Sequence, residues 1–501
     1  MVSIVKTEHK EYARMMPKWK RARDAASGQD AVHAAGEVYL PKLADQTRAD
    51  YEAYKNRALF YNATWRTISG LRGMIFNKPA KLEISGSVTP MLDDISLSGE
   101  PLEVFAMRVT DECLIVSRVG IYVDYPLVDT NAVTAADAMD LNLRPSMKQY
   151  CAESIINWKT RLINNKVSLS LVVIKESHYD PLNDFQDKET IQYRVLDLVN
   201  VDYNGSIKSA YRTRVFVVSD KDEDIQIQED TYPRFNGEML DYIPFYFISP
   251  SGTTEQMDEP CLIDLVDTNL SHYRTNADYE HGCHFTGLPT PIIAGYQPTD
   301  KSERFYIGSR TAWVFPNPNA TATYLEFKGD GLGSLKDNLI NKQQMMAIIG
   351  ARMLEAQSKA VESADTAGIN RSGEHSMLSN ISKSVSMGIE KALVTFSAFA
   401  GSQVPVKYEL NKDFFAVPMD ALRLTALIAG WQNGAYNYET LFANLKRGEV
   451  VDVDQTIEQE LAKMELHKPE IPAGTQVNQD NKPKHETTLA APTQRQLQTP
   501  K

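Results

Sequence analysis

Two long stretches of helical periodicity, matched in reach and separated by a short strand-like segment, constrain this chain more than any other feature of its sequence. In the first, Leu262, Leu265, Val266, Leu270, Tyr273 and Ala277 recur at helical spacing, predicting a helix from about Glu259 to His281. In the second, Leu335, Leu339, Met346, Ile349 and Met353 share a face behind Ser334, a suitable N-cap, predicting a helix to about Gln357. At 1.5 Å per residue the two span roughly 34 and 36 Å. Gly282, Gly287, Pro289 and Pro291 are expected to end the first. The segment between, His284 to Asp330, balances its charges and has strand character near Ile292, at Ala312–Phe315 and at Thr323–Phe327. Two rods therefore bracket a small β module.

The chain before these rods divides by period. Tyr51, Tyr54, Ala58, Tyr61, Trp65, Ile68 and Ile75, plus Leu71, make one apolar face and predict a single helix from about Gln46 to Phe76, stopped at Asn77-Lys78-Pro79. A helix over Pro101–Ser117 leads into a strand at Val119–Tyr125. From Val167 to Ile248 the period becomes two, with strands at Val167–Lys175, Ile191–Leu198, Tyr211–Val218 and Tyr242–Ile248. Turns at Asp180-Pro181, Asn204-Gly205 and Asn236-Gly237 make this an antiparallel region.

Beyond the rods, Ser358–His375 is polar and contains glycine, reading as a long loop, and a third periodic helix carries Met377, Ile381, Val385, Ile389, Leu393 and Phe396 to Gly401. A strand at Val404–Leu410 precedes helices at Pro418–Asn433, Tyr438–Lys446 and Val453–Leu466. The proline-rich, aromatic-free stretch 467–501 cannot bury enough surface to offset its ordering entropy and is expected to be disordered.

The 501 residues carry a formal charge of −12, which disfavours a protein gripping nucleic acid over its whole surface. Met1–Asp24 is the basic exception, at +4, and reads as a solvated helical arm. The four cysteines form no Cys-x-x-Cys pair, which fits free thiols in a reducing compartment. The longest apolar runs are too short for a membrane span, and charges fill the place of a secretory core near the N-terminus, so neither a transmembrane helix nor an export signal is expected.

Signals for catalysis are weak. There is no Gly-x4-Gly-Lys-Ser/Thr loop, no Gly-x-Ser-x-Gly elbow and no His-Glu-x-x-His. Gly329-Asp330-Gly331-Leu332-Gly333-Ser334 reads as a turn into an N-cap, because Asp330 repels phosphate and the Walker lysine is missing. Glu280-His281-Gly282-Cys283-His284, with His272, lacks the second ligand pair that a zinc site needs. Asp111, Glu112, Asp264 and Asp267 are the acids that a two-metal nuclease would use, and read more simply as solvated charge. No catalytic residue, cofactor or metal is expected.

Several ordered stretches carry a resemblance: Tyr39-Leu40-Pro41-Lys42-Leu43, Arg66-Thr67-Ile68-Ser69-Gly70-Leu71 through Phe76-Asn77-Lys78-Pro79, and Val119 to Pro126. Further along come Leu270-Ser271-His272-Tyr273-Arg274 through His281-Gly282-Cys283-His284 to Pro289, and Leu410-Asn411-Lys412-Asp413-Phe414. Over residues 38–466 the chain resembles tailed-bacteriophage portal proteins, through packing and turn signatures rather than catalytic motifs.

The resemblance implies an α+β portal fold. Residues 1–258 become a mixed α/β wing, 259–283 and 331–357 the antiparallel stem helices, and 284–330 the clip. Residues 358–401 become the tunnel loop and kinked helix, 402–417 a returning wing strand, and 418–466 a helical crown. It implies a homo-oligomeric ring, usually a dodecamer, at one capsid vertex of the virion, assembled in the bacterial cytoplasm. Expected partners are the major capsid protein, the terminase large subunit, a tail or adaptor protein and double-stranded DNA in the channel, with no membrane. Lys359, Arg371, His375 and Lys383 are the implied DNA-channel residues, and Arg304 and Arg310 the clip residues for adaptor or terminase. Stem charges differ in sign, about −4 on the first helix and +1 on the second, so neighbouring stems attract modestly. The alternatives are a metal-dependent nuclease and a capsid adaptor without a channel.

Overall fold

A computed structural model of the chain describes residues 3–126, 141–163, 165–203, 205–235, 237–287, 290–295, 317–325, 329–351, 364–412, 414, 421–448, 450–451 and 455–466. Helices and strands mix throughout, as an α+β chain requires. The chain divides into two compact units, Met1–Phe414 and Phe415–Lys501.

The N-terminal basic segment corrects the expectation of a solvated arm. Helix α1 (Lys10–Ser27) buries Tyr12, Met15, Trp19, Ala22, Ala25 and Ala26. Its basic residues are met within the chain: Lys6 by Asp222 at 2.9 Å, Lys18 by Glu259, Arg21 by Asp267 at 2.9 Å, and Arg23 by both Glu112 (2.8 Å) and Glu153 (2.5 Å). The alternation of apolar and basic residues along α1 is thus a two-sided docking pattern. Lys6, Lys18, Arg21 and Arg23 are met by acids distant in sequence, and Lys20 by Asp24 one turn away.

After α2 (Gln29–Ala35), the helix predicted over Gln46–Phe76 is two helices, α3 (Arg48–Arg57) and α4 (Ala63–Ile75). Thr47 and Asp50 form a capping box on α3, and the Asn62 side chain accepts from the Trp65 amide to start α4. Between them the Leu59 amide donates to Asn276 Oδ1 (2.7 Å) and the Phe60 amide to Gln29 Oε1 (3.2 Å). Tertiary partners therefore replace the helical acceptors, which periodicity cannot register. Tyr61 and Trp65, counted on the apolar face, are exposed.

Helix α5 (Leu102–Val116) ends at Ser117, in the left-handed region, as expected near Ser117. Strand β1 (Lys81–Glu83) precedes it, and β2 (Val119–Asp124) follows as the centre of a three-stranded antiparallel sheet with β3 (Ser146–Cys151). Strands β4 (Ile155–Ile163), β5 (Lys166–Asn183), β6 (Gln186–Tyr203), β7 (Ser206–Val218) and β8 (Asp224–Thr231) form a five-stranded meander. The turn expected at Asp180-Pro181 is absent. Pro181 lies inside β5 opposite Asp187, at an exposed ribbon where no third strand needs its amide. The short pair β9 (Arg234–Phe235) and β10 (Glu238–Met239) flanks Gly237, at φ 83°, as the Asn-Gly signal predicts. Strand β11 (Phe245–Ile248) leaves the meander and joins β2.

Helix α6 (Ile263–Gly287) is the first rod, β12 (Thr290–Ala294) and β13 (Thr321–Leu325) are the paired strands between the rods, and α7 (Asp330–Ala351) is the second rod. Helix α8 (Ala364–Phe399) packs on β11 and on β14 (Lys407–Glu409), which pairs with β1. The second unit holds α9 (Ala421–Gln432), α10 (Tyr438–Arg447) and α11 (Ile457–Leu466). The strand expected at Ala312–Phe315 and the disordered tail 467–501 lie outside the described residues.

Two cores share α1. Its first half, with Trp19, packs on Ile155, Trp158, Val172, Leu196 and Tyr211 of the meander and on Phe245 and Phe247. Its second half joins Tyr51, Tyr54 and Phe60 against Val266, Leu270, Tyr273 and Ala277 of α6. One face of α6 is therefore spent inside the unit, and the face toward α7 is left for pairing.

Candidate functional site

The two rods form an antiparallel hairpin whose register can be read from its contacts. Lys342 Nζ donates to the Ser271 carbonyl (3.2 Å) and the Thr275 hydroxyl (2.6 Å), and Gln343 Nε2 to His272 Nε2 (3.2 Å). Further along, a Cβ on Gly282 would stand 2.6 Å from Leu332 Cδ2, and one on Gly329 would stand 3.5 Å from Thr286 Cγ2. As the numbers rise on α6 they fall on α7 at the same pace, which only antiparallel packing produces.

Three boundary expectations are corrected here. Helix α6 starts at Ile263 and runs through Gly282 to Gly287, because this glycine admits Leu332 instead of stopping the helix. Helix α7 begins at Asp330, so Ser334 lies a turn inside it and is not its N-cap. The polar segment expected to loop as far as His375 is helical from Ala364 onward. Polar residues and glycine lower helix propensity without forbidding a helix.

Burial tunes the seam between the rods. It lowers the His272 pKa, with the neighbouring Lys342 charge acting in the same direction, and it lowers that of Lys342 itself. His272 is thereby a neutral acceptor at neutral pH. On the other side of α6, the Tyr54 hydroxyl donates to Asp278 (2.5 Å) and Arg57 donates to His284 Nε2 (3.1 Å). His281 lies edge-on to Tyr54 and Phe285. These histidines are packing groups, and among the described residues no three His, Cys, Asp or Glu side chains are placed to hold a metal ion.

Of the acids considered for a nuclease, three are engaged separately and Asp264 is exposed without an ion partner among the described residues. Asp111 accepts from Arg72 (2.8 Å), Glu112 from Arg23, and Asp267 from Arg21.

The outer face of the hairpin mixes exposed apolar side chains with the polar Asp337, Asn341 and Gln344. Ile340, Met345 and Ile348 of α7 are all exposed, though Leu339 and Met346 of the same helix are buried. Helix α8 is held firmly by contrast. Ile381, Val385, Ile389, Leu393 and Phe396 are buried, and Tyr246 and Thr395 hydroxyls meet at 2.5 Å. Lys383 lies on its exposed stripe, with no ion partner among the described residues. Arg371 and His375 fall one turn apart on α8, and Lys383 sits two to three turns further on. Lys359, Arg304 and Arg310 lie outside the described residues. Sequence reasoning missed Lys342, Gln343 and Gly282 as the seam of the hairpin. The signal available was a glycine on one rod facing a leucine on the other.

Residues 261–400 match the model of a family described as a domain of unknown function (DUF4055), a span running from the start of α6 to the end of α8. A comparison with curated proteins found no match. Among solved structures, the chain overlaps a chain from the neck of an empty gene transfer agent (GTA) particle computed with C6 symmetry. That overlap has a TM-score of 0.36 at 11% identity and covers 83% of this chain and 98% of that one. A second overlap, with a chain from the virion of a native gene transfer agent particle, has a TM-score of 0.35 at 9% identity, covering 82% and 96%. Overlaps this loose do not establish a shared fold. Among the described residues, no helix is long and apolar enough to cross a membrane.

Proposed function

We propose that the chain is the subunit of a phage portal: a ring at a capsid vertex through which DNA is packaged and ejected, and not an enzyme. The observation that carries this reading is the α6–α7 hairpin, which presents Ile340, Met345 and Ile348 on a face that nothing described in the chain covers. An exposed apolar row on a rigid hairpin favours association. Identical copies set side by side around an axis bury that row at every interface, and such head-to-tail contacts close into a circle when the rotation between copies is the right one. The ordered sequence signatures shared with portal proteins support the same reading.

On it, the paired strands β12–β13 mark the clip that meets terminase and a tail or adaptor protein, and the major capsid protein is a further partner. Arg371, His375 and Lys383 of α8 are the candidates for contact with DNA in the channel. The net charge of −12, repeated around the ring, keeps the lumen mostly repulsive to phosphate, so the duplex slides.

Negative-stain imaging with sedimentation velocity tests this: round particles with a central hole are expected, and a chain that stays monomeric at every concentration refutes it. A plasmid assay separates the enzymatic alternative. Cleavage abolished by chelator and by Asp264→Ala with Asp267→Ala would establish the nuclease instead.

A further inference from the structure

Strands β5 and β6 outrun their neighbours. β4 pairs with β5 only as far as Ile174, and β7 with β6 only from Gln192, so Lys175–Asn183 and Gln186–Ile191 form a two-stranded ribbon without a third strand. Isolated ribbons of this kind are marginal in water. Yet this one carries apolar side chains around its tip: Phe185 is 94% exposed, and Tyr179 and Leu182 are exposed as well. Beside Phe185 stands Asp184, exposed and without an ion partner among the described residues. From His178 to Glu189 the ribbon has four acids against one lysine.

A socket of complementary character lies elsewhere in the same unit. Tyr122, Tyr125, Tyr211, Phe235 and Phe399 wall a half-open cavity of about 210 Å³. An apolar cavity of about 150 Å³ already accepts a benzene ring. Arg234 is exposed at this cavity and has no ion partner among the described residues. The cavity's carboxylate, Asp124, is already engaged by Lys148 (3.0 Å) and by the Tyr122 hydroxyl (3.2 Å). The unspent charge at the socket is therefore positive, and that at the tip negative.

The two features cannot meet within one chain. Tyr211 pairs with Leu198, and the ribbon tip lies beyond Gln186 on the same strand, roughly 40 Å away at about 3.3 Å per residue. We propose that the ribbon tip of one copy seats in the aromatic socket of the next, with the Phe185 ring inside and the Asp184 carboxylate against Arg234. Knob and socket are different surfaces, so the contact is heterologous and propagates in one sense around a ring. This rests on the ring reading above and adds to it the residues that set the spacing between subunits.

The test uses the full chain. Phe185→Glu leaves a solvent-exposed position solvent-exposed, so its circular dichroism should match the parent. Its subunit association should weaken by about thirtyfold or more, the loss expected for one buried aromatic ring. Asp184→Lys and Arg234→Glu should each reduce the ring fraction, and the two together should restore it. A benzophenone amino acid placed at position 185 should crosslink to a peptide containing 233–240 or 398–401 of a different, isotope-labelled copy. Rings formed equally well by Phe185→Glu, no recovery in the double reversal, or a crosslink to capsid protein or lipid would overturn the contact and leave the ring reading standing. A parent chain that never assembles overturns both.

Discussion

Gly388 of α8 offers a measurement of how tightly this helix is seated on the three-stranded sheet. A Cβ built there would lie 2.3 Å from both Cδ1 and Cγ1 of Ile248, which is itself fully buried in β11. Two effects oppose each other in Gly388→Ala. Helix propensity favours alanine by about 1 kcal/mol. Forcing one methyl group into a packed core costs about 1–3 kcal/mol, because carbon atoms prefer separations of about 3.5–4.0 Å. The Ile248 atoms at 2.3 Å belong to a fully buried side chain, so the steric cost prevails and a net loss of up to about 2 kcal/mol is expected. A chain of two units does not unfold in one step, so local opening is the proper readout. Hydrogen exchange followed peptide by peptide should show amides of α8 and β11 exchanging faster, by up to about thirtyfold. Ile248→Ala alone should cost about 2–5 kcal/mol, and the double variant less than the sum of the two by at least about 1 kcal/mol, since the truncated side chain makes room for the added methyl. Protection that increases in Gly388→Ala, together with strict additivity in the double variant, would refute the argument that contact geometry outweighs propensity here.

Other perturbations follow from the same structure. Arg118 is buried between the rings of Trp158 (4.4 Å) and Phe247 (4.1 Å) and donates to the Glu255 (3.1 Å) and Gln256 (3.3 Å) carbonyls. Arg118→Ala should cost about 3 kcal/mol and speed hydrogen exchange across residues 255–261 before it affects the meander tip. His272 and His281 have pKa values lowered mainly by burial, so the unfolded chain takes up protons that the folded one refuses. Their contribution to stability is complete above about pH 6.5 and declines as pH falls below it; the thermal midpoint should drop between pH 7.5 and 5.5, by less in His272→Gln. Arg23→Ala leaves Glu112 and Glu153 facing each other without their shared cation and should lower stability by about 2 kcal/mol, recoverable in part by Glu153→Gln, as thermal melts would show.

Much of the architecture was legible without coordinates because it depends on local period. The helix at 102–116, the strands at 119–124 and within 167–218, both rods, and the buried face Ile381–Phe396 all announce themselves by which side of an element must leave water. Strands β4 and β8 escaped that reading for identifiable reasons. β4 shifts register at Ile155/Asn157 and Lys159/Thr160, which scrambles its alternation, and β8 is a largely exposed strand at the sheet edge with little to bury. The candidate site was less legible, since Lys342 and Gln343 matter through Ser271, Thr275 and His272, some seventy residues away in sequence.

Period, turn chemistry and charge, all properties of neighbours along the chain, were enough to predict two rods around a β module, an antiparallel region before them and helices after. The folded chain alone decided that the basic N-terminus is a helix docked by its apolar face, that Leu59 and Phe60 interrupt a helix, and that Gly282 admits a side chain rather than ending a rod. Each of these turns on a partner distant in sequence. A residue's periodicity shows which face it presents, but its consequence is set by what that face meets.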